Sequence, residues 1–296
     1  MKVLIAGASG LIGTAVQHAL RDAGHQVRTL VRRVPRNVAE YEWQPDEGRL
    51  PAEAIEWADG VVSLSGAALG RLPWTAAYRR TLYRSRVDPT RTIATALAVA
   101  ADPPTVWVSG SAVGYYGDRP DEVLTDDAAA GEGFLAELVT RWEAATAAAP
   151  ASTRVVHART GIVLAQGGAL QPLFLATRLG AGARVGTGRQ HWPWISRTDE
   201  ARGIVHLLTE SSLDGAVNLA SPRPATAEDI TRALAAGMGR PHLLRLPAPL
   251  LTLVMGEPAE ELLLADQQVH PQRLLDDGFT FQQPDLGDAV GTALAR

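Results

Sequence analysis

The chain opens with an apolar segment that runs directly into three glycines. Residues 3–13 read Val-Leu-Ile-Ala-Gly-Ala-Ser-Gly-Leu-Ile-Gly, and a helical pattern follows over 14–23. Gly7 permits a tight turn, Gly10 lets the backbone approach a pyrophosphate, and Gly13 lets the helix pack on the strand. The N-terminus of the helix then faces the anion. This strand, turn and helix predict dinucleotide binding at the start of the chain.

Short β-rich segments alternate with longer helical patterns over the first 160 residues. Strands are predicted near 2–6, 26–31, 60–64, 104–109 and 153–158, and helices near 13–23, 75–100 and 134–149. Such alternation is typical of a parallel sheet covered on both faces. The sequence therefore predicts an α/β, Rossmann-type doubly wound fold. Pro89 is expected to kink or divide the second helix.

The pattern changes after residue 160, where two glycine-rich stretches and an aromatic loop over 191–194 indicate an inserted substrate lobe. From Pro241 onward, prolines separate short helical patterns, which predicts a small helical tail. We therefore predict a dinucleotide-binding domain over 1–220, with substrate-lobe insertions after 160, and a helical C-terminal domain over 241–296.

Composition excludes several classes of function. The net charge of the 296 residues is −4 and no dense basic run occurs, which argues against nucleic-acid and membrane partners. The absence of cysteine excludes disulfides and thiol nucleophiles, and no residue cluster has metal-ligand spacing. No signal peptide or bilayer-spanning segment is recognisable, so a cytoplasmic protein is the simplest expectation. The sequence leaves open whether it is a monomer or a homodimer.

The second predicted strand ends in two arginines. An acidic residue at this place binds the adenosine ribose of NAD and would repel a 2′-phosphate, whereas arginine binds phosphate through a charged fork. Arg32 and Arg33 therefore favour NADP, and a solvated arginine pair is the alternative. Together with the turns after neighbouring strands, the expected cofactor contacts are Gly7, Ser9, Gly10, Leu11, Ile12, Gly13, Arg32, Arg33, Leu64, Ser65, Gly66, Ala67, Arg159, Thr160 and Gly161.

The only lysine is Lys2, at the start of the first strand. Enzymes with this glycine spacing commonly place a lysine near the cofactor ribose, where its charge lowers the pKa of a catalytic tyrosine from about 10. No Tyr-x-x-x-Lys pair can exist in this chain. The sequence therefore supports cofactor binding more strongly than any particular reaction.

Motifs along nearly the whole chain resemble one family. They are Gly7-Ala-Ser-Gly-Leu-Ile-Gly13, Leu64-Ser-Gly-Ala67, Ser85-Arg86, Ser109-Gly-Ser-Ala-Val-Gly-Tyr-Tyr-Gly117, Trp142-Glu143, Arg159-Thr-Gly-Ile-Val-Leu164, Gly167-Gly-Ala-Leu170 and Trp194-Ile195, followed by Pro271, Leu274 and Gly278-Phe279. This set resembles the NAD(P)-dependent epimerase/dehydratase family of extended short-chain dehydrogenase/reductases. It is most similar to the atypical "epimerase family" proteins that carry a C-terminal domain of unknown function. The resemblance implies a Rossmann-type domain that binds NADP.

The resemblance also implies a catalytic serine at Ser111, whose hydroxyl would stabilise negative charge on a substrate oxygen. A serine that caps a turn is the alternative. Phe134 and Leu138 stand where the family has its tyrosine and lysine, and neither can transfer a proton. Tyr115 or Tyr116 is therefore the candidate proton donor.

Arg189, Trp192 and Trp194 are the candidate substrate residues. A cation beside stacking faces would suit an anionic carbonyl compound, whereas packing in the core is the alternative for the tryptophans. The leading hypothesis is an NADP-dependent oxidoreductase acting on a small or nucleotide-linked carbonyl or alcohol. The alternatives are a catalytically silent NADP-binding sensor or scaffold, and a nucleotide-sugar epimerase.

Overall fold

The computed structural model describes residues 1–295. Its strands are β1 (Lys2–Ala6), β2 (Gln26–Val31), β3 (Glu40–Glu42), β4 (Gly60–Ser63), β5 (Val106–Ala112), β6 (Val123–Leu124), β7 (Arg154–Thr160), β8 (Ile162–Leu164), β9 (Gly182–Val185), β10 (Trp194–Ser196), β11 (Gly215–Leu219), β12 (His242–Leu246) and β13 (Gln268–Val269). Its α-helices are α1 (Leu11–Asp22), α2 (Ala52–Glu56), α3 (Ala76–Val99), α4 (Phe134–Ala144), α5 (Gln171–Arg178), α6 (Arg197–Thr209), α7 (Ala227–Gly237), α8 (Ala248–Met255), α9 (Glu257–Ala259), α10 (Gln272–Asp276) and α11 (Leu286–Leu294). Short 3-10 helices cover Pro45–Glu47, Val113–Tyr116 and Gly168–Leu170, and Glu260–Leu264 forms a π-helical turn.

One parallel sheet of seven strands forms the centre of the protein, in the order β3-β2-β1-β4-β5-β7-β11. The chain winds outward from β1 to one edge and from β4 to the other. The winding direction thus reverses between β1 and β4. Ligands of such sheets bind outside the carboxyl ends of the strands at this reversal. The predicted Rossmann-type doubly wound fold is confirmed.

Successive residues of β1 pack on opposite faces of the sheet. Val3 and Ile5 belong to the core cluster that includes α1 and α6. Leu4 belongs to the cluster that includes α2 and α3. A parallel strand covered on both faces needs apolar residues at every position. This requirement explains why the N-terminal apolar run forms a central strand.

Helix α3 differs from the prediction at Pro89. The helix is continuous from Ala76 to Val99, with Pro89 buried inside it. Proline removes one backbone donor from a helix. Tertiary hydrogen bonds hold the next turn, because Thr90 Oγ1 accepts from Trp142 Nε1 at 3.0 Å and Thr92 Oγ1 donates to the Pro45 carbonyl at 3.0 Å. The helix is therefore not divided.

The second half of the chain builds a lobe with a core of its own, to which α5, α7 and α11 contribute. The predicted C-terminal helices are present. Two short strands accompany them: β12 pairs with β9 and β13 pairs with β6. Within residues 1–295, no helix is long and apolar enough to cross a membrane.

Candidate functional site

The glycine-rich turn lies at the carboxyl end of β1, where the winding reverses. A Cβ atom on Gly13 would lie 2.3 Å from the Gly7 carbonyl oxygen, and one on Gly7 would lie 2.6 Å from the backbone of Leu64. Gly7 also has a φ of +78°. Side chains at these positions would push α1 away from β1 and from the turn after β4. The two turns predicted to border the cofactor thus touch each other.

The first turn of α1 is open for an anion. It begins at Leu11, contains no acidic residue, and is capped by no side chain of residues 1–295. Amides in the first turn of a helix lack intrahelical acceptors and attract negative charge. Ser9 and Gly10, which precede the helix, are exposed. The turn therefore fits a pyrophosphate group.

The two arginines after β2 have different partners. Arg33 forms a two-pronged ion pair with Glu40, with N–O distances of 2.7 and 2.8 Å. Hydrogen bonds from the Arg33 side chain and the Arg36 amide lower the pKa of Glu40 to about 2. Arg32 is exposed and has no polar partner in the described chain. Arg32 is therefore free to bind a phosphate, while Arg33 is committed to Glu40.

The turn after β4, residues 64–67, is fixed by α3. Ser85 Oγ accepts a hydrogen bond from the Ala67 amide at 2.9 Å, and Arg86 Nη2 donates to the Ala67 carbonyl at 3.1 Å. A Cβ atom on Gly66 would lie 3.1 Å from Arg86 Cζ. The Ser85-Arg86 motif therefore shapes a turn that borders the crevice.

Ser111 of β5 and Arg159 of β7 lie side by side on two paired strands. Glu143 of α4 forms hydrogen bonds with both side chains. Ser111 Oγ donates to Glu143 Oε1 at 2.5 Å. Arg159 Nε and Nη2 donate to Glu143 Oε1 and Oε2 at 2.8 and 2.9 Å. Ser111 and Arg159 are each only 4% exposed. The only sign of Glu143 in the sequence is the Trp142-Glu143 motif, which by itself indicates no role for the carboxylate.

The ion pair between Glu143 and Arg159 governs the electrostatics of this group. Burial alone would raise the pKa of the Glu143 carboxyl, but hydrogen bonds and charge from Arg159, with the Ser111 hydroxyl, lower it. Although burial opposes it, the Glu143 carboxylate raises the pKa of Arg159. Burial lowers the pKa of the nearby His157 imidazole. Near neutral pH, Glu143 and Arg159 are therefore ionised and His157 is neutral.

The two tyrosines after β5 have different environments. Tyr116 is buried, and its hydroxyl donates to Asn218 Oδ1 at 2.7 Å and accepts from Arg159 Nη1 at 3.0 Å. Burial raises the pKa of this hydroxyl. Tyr115 is half-buried, with its ring centre 3.5 Å from the Arg159 guanidinium carbon. Its hydroxyl has no hydrogen-bond partner among residues 1–295, so of the two hydroxyls it is the one left free to form a further hydrogen bond.

The C-terminal segment fastens two elements of the site. Both carboxylate oxygens of Glu261 accept backbone amides at the start of α4, each at 2.7 Å. Gln267 Nε2 donates to the carbonyls of Val113 and Gly117 at 3.2 and 2.7 Å. Val113 is the first residue of the 3-10 helix that carries both tyrosines, and Gly117 directly follows that helix. The sequence alone gave no signal for Glu261 or Gln267, because their contacts join segments far apart in the chain.

The candidate substrate residues do not form the expected stacking pocket. Trp192 and Trp194 are 2% and 1% exposed, and their indole N–H groups donate to the carbonyls of Leu263 and Arg223 at 3.0 and 3.1 Å. Arg189 is exposed on the loop before them. The indole faces are used in the core of the second lobe. The structure thereby corrects the expectation of a ligand-stacking role for both tryptophans.

Thr160 and Gly161 lie at the carboxyl end of β7, beside a buried carboxyl group. Thr160 Oγ1 donates to Glu200 Oε1 at 2.8 Å. Glu200 is completely buried, and its Oε2 atom has no hydrogen-bond partner within residues 1–295. Burial raises the pKa of Glu200 to about 8. The folded protein therefore keeps this carboxyl group protonated at neutral pH.

Replacing Glu200 with glutamine should remove a pH-dependent loss of stability. The folded pKa of about 8 exceeds the ordinary value of 4.5, so the wild type is most stable below pH 4.5 and loses stability as the pH rises toward 8. Between pH 5 and 7, the free energy of unfolding of the wild type should fall by roughly 2 to 3 kcal/mol relative to Glu200→Gln. Chemical denaturation measures this difference.

The exposed Glu53 of α2 provides the control for this measurement. Glu53→Gln should follow the wild-type pH profile. Parallel profiles of the wild type and Glu200→Gln would contradict the prediction.

Comparison with known proteins identifies the family to which the chain belongs. Residues 3–220 match the family model described as the NAD dependent epimerase/dehydratase family. The chain belongs to this epimerase/dehydratase family. Residues 246–293 match a second model, described as a domain of unknown function (DUF1731). The resemblance found in the sequence is confirmed.

Several proteins are similar to nearly the whole of this chain. An epimerase family protein of Mycobacterium tuberculosis is 41% identical over 299 residues, which covers 99% of this chain and 98% of the relative. Human SDR39U1, crystallised with NADPH, superposes with a TM-score of 0.91 at 32% identity and covers 100% of this chain and 99% of its own. A nucleoside-diphosphate sugar epimerase from Corynebacterium glutamicum gives a TM-score of 0.82 at 32% identity, covering 99% of this chain and 58% of that one.

Proposed function

We propose that this protein binds NADP(H) in the crevice above β1 and β4 and transfers hydride between the nicotinamide and a small or nucleotide-linked carbonyl or alcohol. The observation that carries the chemistry is the hydrogen-bonded chain from Ser111 through Glu143 to Arg159. These hydrogen-bonded side chains lie at the carboxyl ends of β5 and β7, the edge at which such sheets bind their ligands. They join a hydroxyl, a carboxylate and a cation in a sequence that lacks the usual tyrosine–lysine pair.

The residues present fit NADP. The first-turn amides of α1 would bind the pyrophosphate, and the unpaired Arg32 would bind the 2′-phosphate. Thr160 and Gly161 would border the nicotinamide. The bound cofactor would supply or accept the hydride. The similar human SDR39U1 was crystallised with NADPH, which supports this assignment.

Ser111 is oriented to receive a proton from a substrate alcohol. Its O–H donates to Glu143, so its oxygen lone pairs are available to accept a hydrogen bond. A proton leaving the substrate can pass to Ser111 while the serine proton passes to Glu143. The lowered pKa keeps Glu143 ionised but makes it a weak base, so slow turnover is expected. In the reverse direction the same path runs backwards: Ser111 donates its proton to the carbonyl oxygen and Glu143 returns one to Ser111, while the Tyr115 hydroxyl would donate a hydrogen bond to that oxygen.

Two other functions each have an observation in their favour. A silent NADP-binding sensor is favoured by Ser111, which is almost buried and already bonded to Glu143. It is also favoured by the buried Phe134 and Leu138. A nucleotide-sugar epimerase is favoured by the similarity to the Corynebacterium protein of that name. Epimerisation through a keto intermediate needs an efficient base for its first step, which Glu143 does not provide.

Replacing Arg32 with alanine should weaken NADPH binding by about 10- to 100-fold, because one charged hydrogen-bond partner of the 2′-phosphate is lost. NADH, which lacks this phosphate, should bind both proteins equally. Fluorescence titration measures the four dissociation constants. Arg91→Ala, which removes an exposed arginine of α3, is the control and should behave as the wild type. Equal NADPH affinity in the wild type and Arg32→Ala would contradict the role of Arg32.

The proposed hydride transfer is tested by following NADPH oxidation by the wild type and Ser111→Ala with a panel of carbonyl compounds. Turnover should be about 10²- to 10³-fold lower in Ser111→Ala than in the wild type, because alanine cannot relay a proton between the substrate oxygen and Glu143. NADPH binding without turnover across the panel would favour the sensor. Failure to bind NADPH would contradict both functions.

A further inference from the structure

Arg86 is a buried cation that no carboxylate of residues 1–295 neutralises. It is 9% exposed, and its guanidinium donates to the carbonyls of Leu82 and Ala67 at 3.2 and 3.1 Å. No Asp or Glu of residues 1–295 forms an ion pair with it. Burial lowers the pKa of Arg86 to about 10. The side chain therefore stays charged at neutral pH, and the protein itself leaves that charge uncompensated.

The other ionisable groups beside Ser111 do not supply the missing negative charge. Glu143 is paired with Arg159, and His157 is neutral. Glu200 is protonated near neutral pH. Within residues 1–295, the two carboxyl oxygens of Asp126 accept the backbone amides of Asn218 and Arg273 and form no ion pair with Arg86. Arg86 is therefore a buried positive charge without a paired carboxylate among residues 1–295.

Arg86 lies between the carboxyl ends of β4 and β5. Its guanidinium carbon is the atom that a Cβ on Gly66 would approach to 3.1 Å. The same guanidinium carbon lies 5.4 Å from the ring centre of Trp142. The Trp142 ring in turn packs against Gly110, the residue before Ser111, where an added Cβ would lie 3.2 Å from the ring. In a doubly wound sheet, the two halves of a dinucleotide lie on opposite sides of the winding reversal. Arg86 is on the side of Ser111, whereas Arg32 follows β2 on the other.

We propose that Arg86 makes the site distinguish the oxidation states of the cofactor, so that NADPH binds more tightly than NADP+. The ring of NADPH is neutral, whereas the ring of NADP+ carries a positive charge. Repulsion between like charges is stronger in a buried site than in water because screening is weak. This inference rests on the proposed binding of NADP(H). It gives the protein a preference for the reduced cofactor whether it acts as an enzyme or as a sensor.

The test compares the dissociation constants of NADPH and NADP+ by isothermal titration calorimetry. The wild type should bind NADP+ about tenfold or more weakly than NADPH. In Arg86→Met the ratio of the two constants should fall toward one, and in Arg86→Lys, which keeps the charge, it should be retained. Arg154→Met is the matched control, because Arg154 also donates to two backbone carbonyls but lies at the opposite end of the sheet. Its ratio should equal that of the wild type.

Adenosine 2′,5′-bisphosphate separates this inference from the proposed function. It carries the 2′-phosphate but no nicotinamide, so Arg86→Met should bind it as the wild type does. If the wild type binds neither this compound nor NADPH, the proposed function fails and the inference fails with it. If both bind and the wild-type ratio of NADP+ to NADPH constants is near one, the inference alone is overturned. Equal ratios in Arg86→Met and the wild type would also overturn it. A wild-type ratio near one overturns the inference even if Arg86→Met does not fold.

Discussion

Glu143→Leu is expected to lower the free energy of unfolding by about 3 to 5 kcal/mol, the range typical when one partner of a buried ion pair is removed. The substitution leaves the Arg159 guanidinium almost fully buried without a counter-charge. Its remaining bonds to the Tyr116 hydroxyl and the Asp126 carbonyl satisfy Nη1 but do not neutralise the charge. Chemical denaturation at pH 7 measures the loss.

Two further variants show whether the loss comes from burial of the pair. Glu137 and Arg141 form an exposed ion pair on the same helix, so Glu137→Leu should cost less than about 1 kcal/mol. The double variant Glu143→Leu/Arg159→Met removes both charges and should recover much of the lost stability. A loss as small in Glu143→Leu as in Glu137→Leu would contradict the prediction, and so would a double variant no more stable than the single one.

The pH dependence of the same variant gives an independent check. The folded pKa of Glu143 lies below the ordinary value of 4.5. Its contribution to stability is therefore fully present above pH 4.5 and is lost as the pH falls through the lower folded pKa. The difference in unfolding free energy between the wild type and Glu143→Leu should shrink as the pH is lowered below 4.5. A difference that grows in acid would show that the ion pair is not its cause.

Gly13→Ala is expected to lower the free energy of unfolding by about 3 kcal/mol or more, at the upper end of the overpacking range. The added methyl group would lie 2.3 Å from the Gly7 carbonyl oxygen and 2.9 Å from Ala8 Cα. Both are backbone atoms, which cannot rotate away, so α1 must move from β1. Because the same movement displaces the first-turn amides, NADPH affinity should fall by about 100-fold or more. Thermal unfolding and NADPH titration measure the two effects.

Gly291 provides the matched control within a helix. It lies in α11, and outside the backbone of that helix no atom of residues 1–295 comes within 4 Å of the Cβ that an alanine would add. Gly291→Ala should therefore raise stability by up to about 1 kcal/mol, since alanine favours the helix over glycine. It should leave NADPH binding unchanged. Wild-type stability and affinity in Gly13→Ala would show that the turn can relax around a side chain.

The elements that the sequence predicted well depend on local requirements. The apolar run of β1 indicates a strand covered on both faces, and the turn that follows has room for glycine only at Gly7 and Gly13. The position of Arg32 after β2 follows from the alternation of strands and helices. Each of these features can be recognised within a short window of sequence, and the Rossmann-type fold follows from their order.

The features that the sequence missed depend on which side chains share a buried space. The sequence could not choose between Tyr115 and Tyr116, which are adjacent in the chain but differ in burial and partners. Trp192 and Trp194 were expected to line a substrate pocket because they are aromatic. Their large apolar rings instead pack in the core of the second lobe. Continuity of α3 through Pro89 likewise depends on neighbouring elements rather than on helix propensity.

The sequence by itself determined the fold class, the family and the cradle for a dinucleotide, because these arise from local steric and periodic patterns. Only the tertiary structure decided the arrangement around Ser111. Glu143 comes from a helix and Arg159 from the neighbouring strand, and they meet only because α4 packs against the carboxyl ends of β5 and β7. The unpaired charge of Arg86 was equally hidden in the sequence. Whether a buried cation has a counter-charge depends on long-range packing, which no local pattern encodes.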